Sequence, residues 1–318
     1  MKLAIQTPPE HTDFSRLRDL WQAADQLGFS AGFTFDHFVP LNPGPRPDLG
    51  GVPSGPQFEG WVALAALGAL TSNLQVGTLV TGVTYRHPAL LAKMAVTLDH
   101  ITGGRAILGV GAAWHDAEHA MYGIDYPGVG DRMELLEETV EAFQLLCNPS
   151  ELVSHSGRFV ELNDAVFDPK PLRPKGIPVL IGGGGERLRR IAARCADWYN
   201  GFWAPWEWGE VNEQLDADLA RYGRQPADLM RTAFVFSELS GDQAAGDGMV
   251  AAFQANRGGT TEEVRSRVMV GSPDDMISVL RAYENAGVEM VILNIRPSQQ
   301  VEHVQSFGEQ VLPAVSSD

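Results

Sequence analysis

The sequence is poor in positive charge, in cysteine and in long apolar runs, and each shortage removes a class of function. Lys and Arg number 24 against 40 Asp and Glu, which leaves −16 at neutral pH. A field of that sign repels polyphosphate backbones and anionic lipid, so neither nucleic acid nor membrane is an expected partner. Cys147 and Cys195 stand apart with no C-x-x-C spacing. They offer no disulfide framework and read as buried, reduced packing residues. The longest apolar stretch, near residues 61–70, falls far short of the roughly 20 residues that a bilayer span needs. At the N-terminus only residues 3–5 form an apolar segment before Gln6, Thr7, Pro8 and Pro9, so no secretory signal is expected and the cytoplasm is the expected compartment. With 34 Gly and 20 Pro in 318 residues, and 44% hydrophobic residues, the composition also excludes disordered and fibrous classes and supplies a large core.

What is present is an alternation of short β-type runs with amphipathic helical patterns, the mark of repeated βα units and a parallel sheet. Strands are expected at 2–5, 31–35, 74–81, 105–109, 178–181, 198–200, 232–237 and 290–294. Helices are expected at 13–27, 61–70, 133–147 and 186–196, with another opening at Pro88. Ser272-Pro273-Asp274-Asp275 reads as an N-cap, Pro at N1 and acids in the first turn of a helix reaching Ala286. Eight strands fit an α/β fold of the (β/α)8 TIM barrel class with insertion segments, in one domain over 1–318. The insertions fall at about 40–56, 111–131, 149–175 and 241–267, the third with room for a hairpin. A doubly wound sheet would carry a glycine fingerprint after its first strand, where this chain has Thr7-Pro8-Pro9.

A barrel of this kind places its active site at the C-terminal ends of its strands. After the second strand comes Phe35-Asp36-His37-Phe38. Asp36 and His37 are positioned there to bond a heterocycle or move a proton; the plainer alternative is an Asp that caps the next loop beside a surface His. The third strand ends among hydroxyls and glycine at Thr78, Leu79, Val80, Thr81 and Gly82. The fourth ends in small residues, Gly109, Gly111 and Ala112 among them, that allow a flat ligand or another backbone to come close. The fifth ends in Gly182, Gly183, Gly184 and Gly185 and runs straight into a helix. Open N–H groups at a helix N-terminus make an anion site, with phosphate as the usual occupant, although a flexible connector has the same composition. His115-Asp116-Ala117-Glu118-His119 matches the H-x-x-E-H pattern of some zinc proteases, but no third ligand is indicated, and no metal is expected.

These segments together resemble the luciferase-like monooxygenase superfamily, and within it the oxidoreductases that use the deazaflavin coenzyme F420. The resemblance spans nearly the whole chain. It rests on Phe35-Asp36-His37-Phe38, on Arg86-His87-Pro88-Ala89-Leu90-Leu91-Ala92-Lys93, and on Asp99-His100-Ile101-Thr102-Gly103-Gly104-Arg105 leading into Gly109-Val110-Gly111. Tyr122-Gly123-Ile124 and Ile177-Pro178-Val179-Leu180-Ile181-Gly182-Gly183 complete it. The resemblance implies a barrel with an insertion, dimeric in its usual form, that holds F420 or FMN in its mouth. It implies Asp36 and His37 near the ring as catalytic residues and a non-prolyl cis peptide at Leu79–Val80 behind it. It also implies a cofactor site of Asp36, Thr78, Leu79, Val80, Gly111, Ala112, Gly182, Gly183, Gly184 and Gly185, with phosphate at the glycines. The activity implied is hydride transfer between F420 and an unidentified organic substrate. The first alternative is an FMN-dependent luciferase-type monooxygenase; a metal-dependent hydrolase is more remote. Trp114 stands where the sugar-phosphate dehydrogenase branch has an acidic Glu, which argues against sugar-phosphate oxidation by that mechanism.

Overall fold

The computed structural model describes residues 1–41, 54–149, 152–239, 246–251, 254, 260–296, 299 and 301–316. Twelve described strands follow in chain order: β1 (Lys2–Gln6), β2 (Ala31–Thr34), β3 (Gln75–Thr78), β4 (Thr81–Gly82), β5 (Ala106–Gly111), β6 (Val153–Ser156), β7 (Glu161–Ala165), β8 (Val179–Gly182), β9 (Trp198–Gly201), β10 (Met230–Leu239), β11 (Val268–Gly271) and β12 (Met290–Asn294). Eight of them close a parallel barrel in the order β1, β2, β3, β5, β8, β9, β10, β12, with β12 returning to β1 and β9 pairing β10. The fold is the expected (β/α)8 barrel. β11 adds a strand outside the ring, against the overlong end of β10.

Alternation along each strand divides the core in two. Ala4, Ala31, Phe33, Ile107, Leu180, Trp198, Met290 and Ile292 fill the barrel interior. Their neighbours, such as Leu3, Ile5, Val291 and Leu293, face the surrounding helices. The first helix, α1 (Phe14–Leu27), shows how sequence sets the outer layer. The Asp13 side chain accepts from Arg16 N–H, Gly28 closes the helix at φ 89°, and Leu17, Leu20, Trp21 and Ala24 form the buried stripe. The helix Pro273–Asn285 is opened by Ser272 and Asp275 in a full capping box.

Two segments depart from the sequence reading, and a third agrees with it. The run 74–81 is not one strand: it breaks between β3 and β4 at a cis Leu79–Val80 peptide, the position the resemblance implied. The break sits against β5, where Gly109 leaves the room, since a Cβ there would lie 1.8 Å from the Thr78 carbonyl oxygen. Residues 111–131 are not irregular throughout. They contain the helix α4 (Asp116–Tyr122), capped by His115 and ended by Gly123, and α5 begins at Val129 (Val129–Cys147). Only seven residues long, with polar Glu118 and His119 on its buried side, α4 shows no apolar period. The 149–175 segment does hold a hairpin, β6 paired antiparallel to β7, while 150 and 151 lie outside the described residues. Of the 40–56 and 241–267 segments, 42–53, 241–245, 252, 253 and 255–259 also lie outside them.

Candidate active site

A cavity of about 390 Å³ opens at the C-terminal ends of the barrel strands. His37 enters from the end of β2, Leu79, Val80 and Gly82 from β3 and β4, and Gly111, Ala112, Ala113 and Trp114 from β5. Gly182, Gly183, Gly184 and Leu188 come from β8 and α6 (Glu186–Cys195), and Asn200 and Phe234 from β9 and β10, with Tyr85 and Met133 completing the wall. Most of this wall is apolar and one side of it is nearly bare backbone. Small residues are needed there: a Cβ on Gly111 or Gly182 would come within 2.8 or 3.0 Å of the Val80 side chain. The site therefore has a ledge, Leu79 and Val80, held forward between two glycine-bearing strands.

Of the residues singled out in the sequence, His37, Leu79, Val80, Gly111, Ala112, Gly182, Gly183 and Gly184 line this cavity. Asp36, Thr78 and Gly185 do not. Thr78 is fully buried behind the ledge, where its hydroxyl donates to the Gly109 carbonyl at 3.0 Å and meets the Thr81 hydroxyl at 2.9 Å. Asp36 is equally buried and takes a bidentate bond from Arg86, at 2.5 and 3.0 Å. Glu59 shares the same guanidinium. Burial raises the Asp36 carboxyl above its ordinary value, against the pull of Arg86. Desolvation works against the Arg86 charge too, but the two carboxylates outweigh it and raise that group. The pair anchors the β2 loop to the start of α3 (Pro88–Ile101) from beneath.

His37 is held differently. Its Nδ1 donates to Glu118 Oε2 at 2.9 Å. The Tyr85 hydroxyl donates to the same oxygen, while Glu118 Oε1 accepts from the Phe38 and Val39 N–H groups at 2.5 and 3.1 Å. One buried carboxylate thus satisfies four donors. Burial opposes its ionisation, but the hydrogen bonds from His37 and Tyr85 prevail and hold Glu118 down to about 2. Burial and this carboxylate push the Tyr85 phenol well above its usual range. Phe35 and Trp114 set their rings edge-on to the His37 imidazole at 5.2 and 5.5 Å. Glu118, Tyr85 and Arg86 were not read as site residues from sequence. Glu118 was in view, but only within the H-x-x-E-H pattern, which was set aside as a metal site.

That pattern serves folding. His115 Nδ1 accepts from the Glu118 N–H at 3.3 Å. His119 Nδ1 donates to the His115 carbonyl at 2.7 Å, so Nε2 accepts from the Thr84 hydroxyl at 2.6 Å. Both nitrogens of His119 and both oxygens of Glu118 are spent within the protein. Among the described residues, no group of three or more His, Cys, Asp or Glu is arranged to hold a metal ion.

The four-glycine turn leads into α6 with Gly185 as its N-cap, φ 93°, and no side chain capping the helix. Gly183, at φ 137°, donates its N–H to the Asn200 carbonyl at 3.1 Å. Its own carbonyl accepts from the Tyr199 hydroxyl at 3.0 Å, and Trp203 Nε1 lies 3.4 Å from that hydroxyl. The turn is therefore tied at Gly183 rather than loose, and the N–H groups beyond it open an α6 that no side chain caps. The ledge of Leu79 and Val80 and the glycine turn line the same cavity, and N–H groups at an uncapped helix start are donors suited to an anion.

A family profile described as luciferase-like monooxygenase matches residues 1–258. An F420-dependent glucose-6-phosphate dehydrogenase of Kineococcus radiotolerans is 26% identical over 340 residues, covering 98% of this chain and 96% of its own. Among solved structures, an F420-dependent secondary alcohol dehydrogenase in complex with an F420-acetone adduct superposes with a TM-score of 0.86 at 19% identity, 99% of each chain being covered. The coenzyme F420-dependent tetrahydromethanopterin reductase of Methanopyrus kandleri gives 0.80 at 17% identity, again over 99% of both chains. At these identities the structural matches speak for the fold.

Proposed function

The chain belongs to the luciferase-like monooxygenase family, and from that premise we propose that it is an F420-dependent oxidoreductase acting on a small organic substrate in one barrel domain over 1–318. The observation that carries the reading is one cavity that joins a proton-transfer group, an apolar ledge and an uncapped glycine turn. The F420-dependent relatives, one of them similar over almost its whole length, support F420 over FMN. When bound, F420 supplies the acceptor or donor of hydride, and the protein supplies binding, orientation and electrostatics.

Leu79 and Val80 would back the ring, Gly111 and Ala112 would leave space beside it, and Gly184 with the uncapped start of α6 would receive the phosphate, Gly182 and Gly183 shaping the turn before it. His37 meets the substrate oxygen. In the oxidising direction His37 Nε2 would take the hydroxyl proton of the substrate, and in the reducing direction it would return that proton. Asp36 acts from beneath, through Arg86, and does not touch the reacting atoms. Trp114, 60% exposed, closes the His37 side with an apolar surface. No described helix is long and apolar enough to cross a membrane, and the cytoplasm is the proposed compartment. A homodimer is proposed through α2 (Gly60–Ala69) and α3, whose outer faces show Val62 at 72% and Leu90 at 54% exposure. Light scattering giving a monomer mass at micromolar concentration would end that part of the proposal.

The activity is tested by mixing the protein with reduced F420 and a panel of uncharged ketones and aldehydes under nitrogen and under air. Oxidation of the deazaflavin that needs a carbonyl compound and takes up no oxygen supports the proposal. Oxygen uptake with reduced FMN and no turnover of F420 would replace it by the monooxygenase.

A further inference from the structure

The Glu118 carboxylate makes more contacts than a loop anchor requires. Its two oxygens divide the work: Oε1 receives two backbone N–H groups, from Phe38 and Val39, and Oε2 receives His37 Nδ1 and the Tyr85 hydroxyl. An ionised carboxylate only accepts, so Nδ1 of His37 must carry its proton. In the neutral ring Nε2 is then the lone-pair nitrogen, and it has no protein partner among the described residues. The ring lines the cavity, its backbone carbonyl accepts from Gln57 Nε2 at 3.0 Å, and Phe35 and Trp114 flank it. Which nitrogen of a histidine carries the proton is set by the bond the other one makes.

We propose that Glu118 is a positioning residue that fixes the tautomer of His37, presenting an unprotonated Nε2 to the substrate oxygen through a carboxylate clamp that also fixes the backbone of the same loop. The use of that nitrogen as the proton acceptor rests on the proposed oxidoreductase activity; the tautomer itself does not. The clamp makes Glu118→Gln an informative change. Backbone N–H groups cannot invert, so the amide oxygen of the new side chain must take the place of Oε1 against Phe38 and Val39. Its NH2 group is left facing His37 Nδ1 and the Tyr85 oxygen. The Tyr85 hydroxyl rotates to accept, and Nδ1 must accept as well, so the ring proton moves to Nε2. A nearly isosteric substitution thus turns the cavity-facing nitrogen from acceptor to donor.

Long-range ¹H–¹⁵N correlation spectra of the ¹⁵N-labelled full chain test this without any cofactor, with His37 assigned by its loss in His37→Gln. In the neutral ring the wild type is expected to show a protonated Nδ1 and a lone-pair Nε2, and Glu118→Gln the reverse. Tyr85→Phe, which keeps the Glu118 to His37 bond, should retain the wild-type pattern. The corresponding loss of alcohol oxidation in Glu118→Gln is on the order of a thousandfold or more, the scale seen when a catalytic histidine is held in the wrong tautomer, with F420 affinity unchanged. A wild type protonated at Nε2 overturns the proposal, whether or not Glu118→Gln folds. So does a Glu118→Gln protein that keeps Nδ1 protonated, or a Tyr85→Phe protein that does not. If the spectra are as expected but F420 neither binds nor turns over, the oxidoreductase reading fails and the tautomer assignment stands.

Discussion

Gly184→Ala separates the cofactor grip from the fold. Among the glycines of the turn, Gly183 and Gly185 have φ of 137° and 93°, where any side chain is strained. Their replacement would confuse stability with binding. Gly184 has no such φ, and an added Cβ would make ordinary contact with the Trp203 ring, at 3.4 and 3.5 Å. The folded state should therefore change by less than about 1 kcal/mol, with a slight gain from the stiffer unfolded chain. The methyl nevertheless stands on the wall of the cavity. If it displaces the phosphate from one backbone N–H, the loss is one hydrogen bond to a charged group, about 1.5–3 kcal/mol. That corresponds to an affinity about tenfold to a hundredfold weaker. Thermal melts and equilibrium titration with F420 on the same preparations measure both quantities. An unchanged melting temperature with unchanged affinity would refute the anion-site reasoning and return the glycines to the role of connector.

Three further outcomes follow from buried contacts. Asp36→Ala removes the bidentate partner of Arg86 and leaves it paired with Glu59, so it should cost about 1.5–3 kcal/mol in denaturant titration; a variant of unchanged stability that merely turns over slowly would instead place Asp36 at the reacting ring. Gly109→Ala puts a methyl 1.8 Å from the Thr78 carbonyl oxygen, so its soluble yield and melting temperature should collapse, and a well-folded variant would show that the ledge does not depend on that close approach. The Glu118 carboxyl, held down to about 2 in the fold against an ordinary 4.5, contributes stability that is fully present above pH 4.5 and is lost as pH falls toward 2. The stability of Glu118→Gln should therefore be the flatter of the two as pH falls below 4.5, and parallel curves would contradict the clamp.

The barrel was legible because its strands and helices announce themselves locally, by alternation, by a 3.6-residue period and by caps such as Asp13 and Ser272. The cavity wall was legible for a related reason. Glycines at 109, 111 and 182 mark where one backbone must approach another, and the structure places them around Val80. Charged residues were harder, because their partners lie far along the chain. Arg86 is 50 residues from Asp36, and Glu118 is 81 from His37. Adjacency made Asp36 and His37 look like a pair, yet neighbouring side chains at a strand end point to opposite sides. One went into the packing with Arg86 and the other into the cavity. The H-x-x-E-H spacing drew attention to Glu118 only as a metal pattern that was set aside, because the partners of Glu118 and His119, at His37 and Thr84, lie far along the chain.

Parallel equilibrium titrations of the wild type with F420 and with FMN decide which of the two cofactors this cavity is built for. Saturable F420 binding at one equivalent per chain, weakened in Gly184→Ala and far tighter than FMN, is the predicted result. Tight FMN binding with no measurable F420 binding would contradict it.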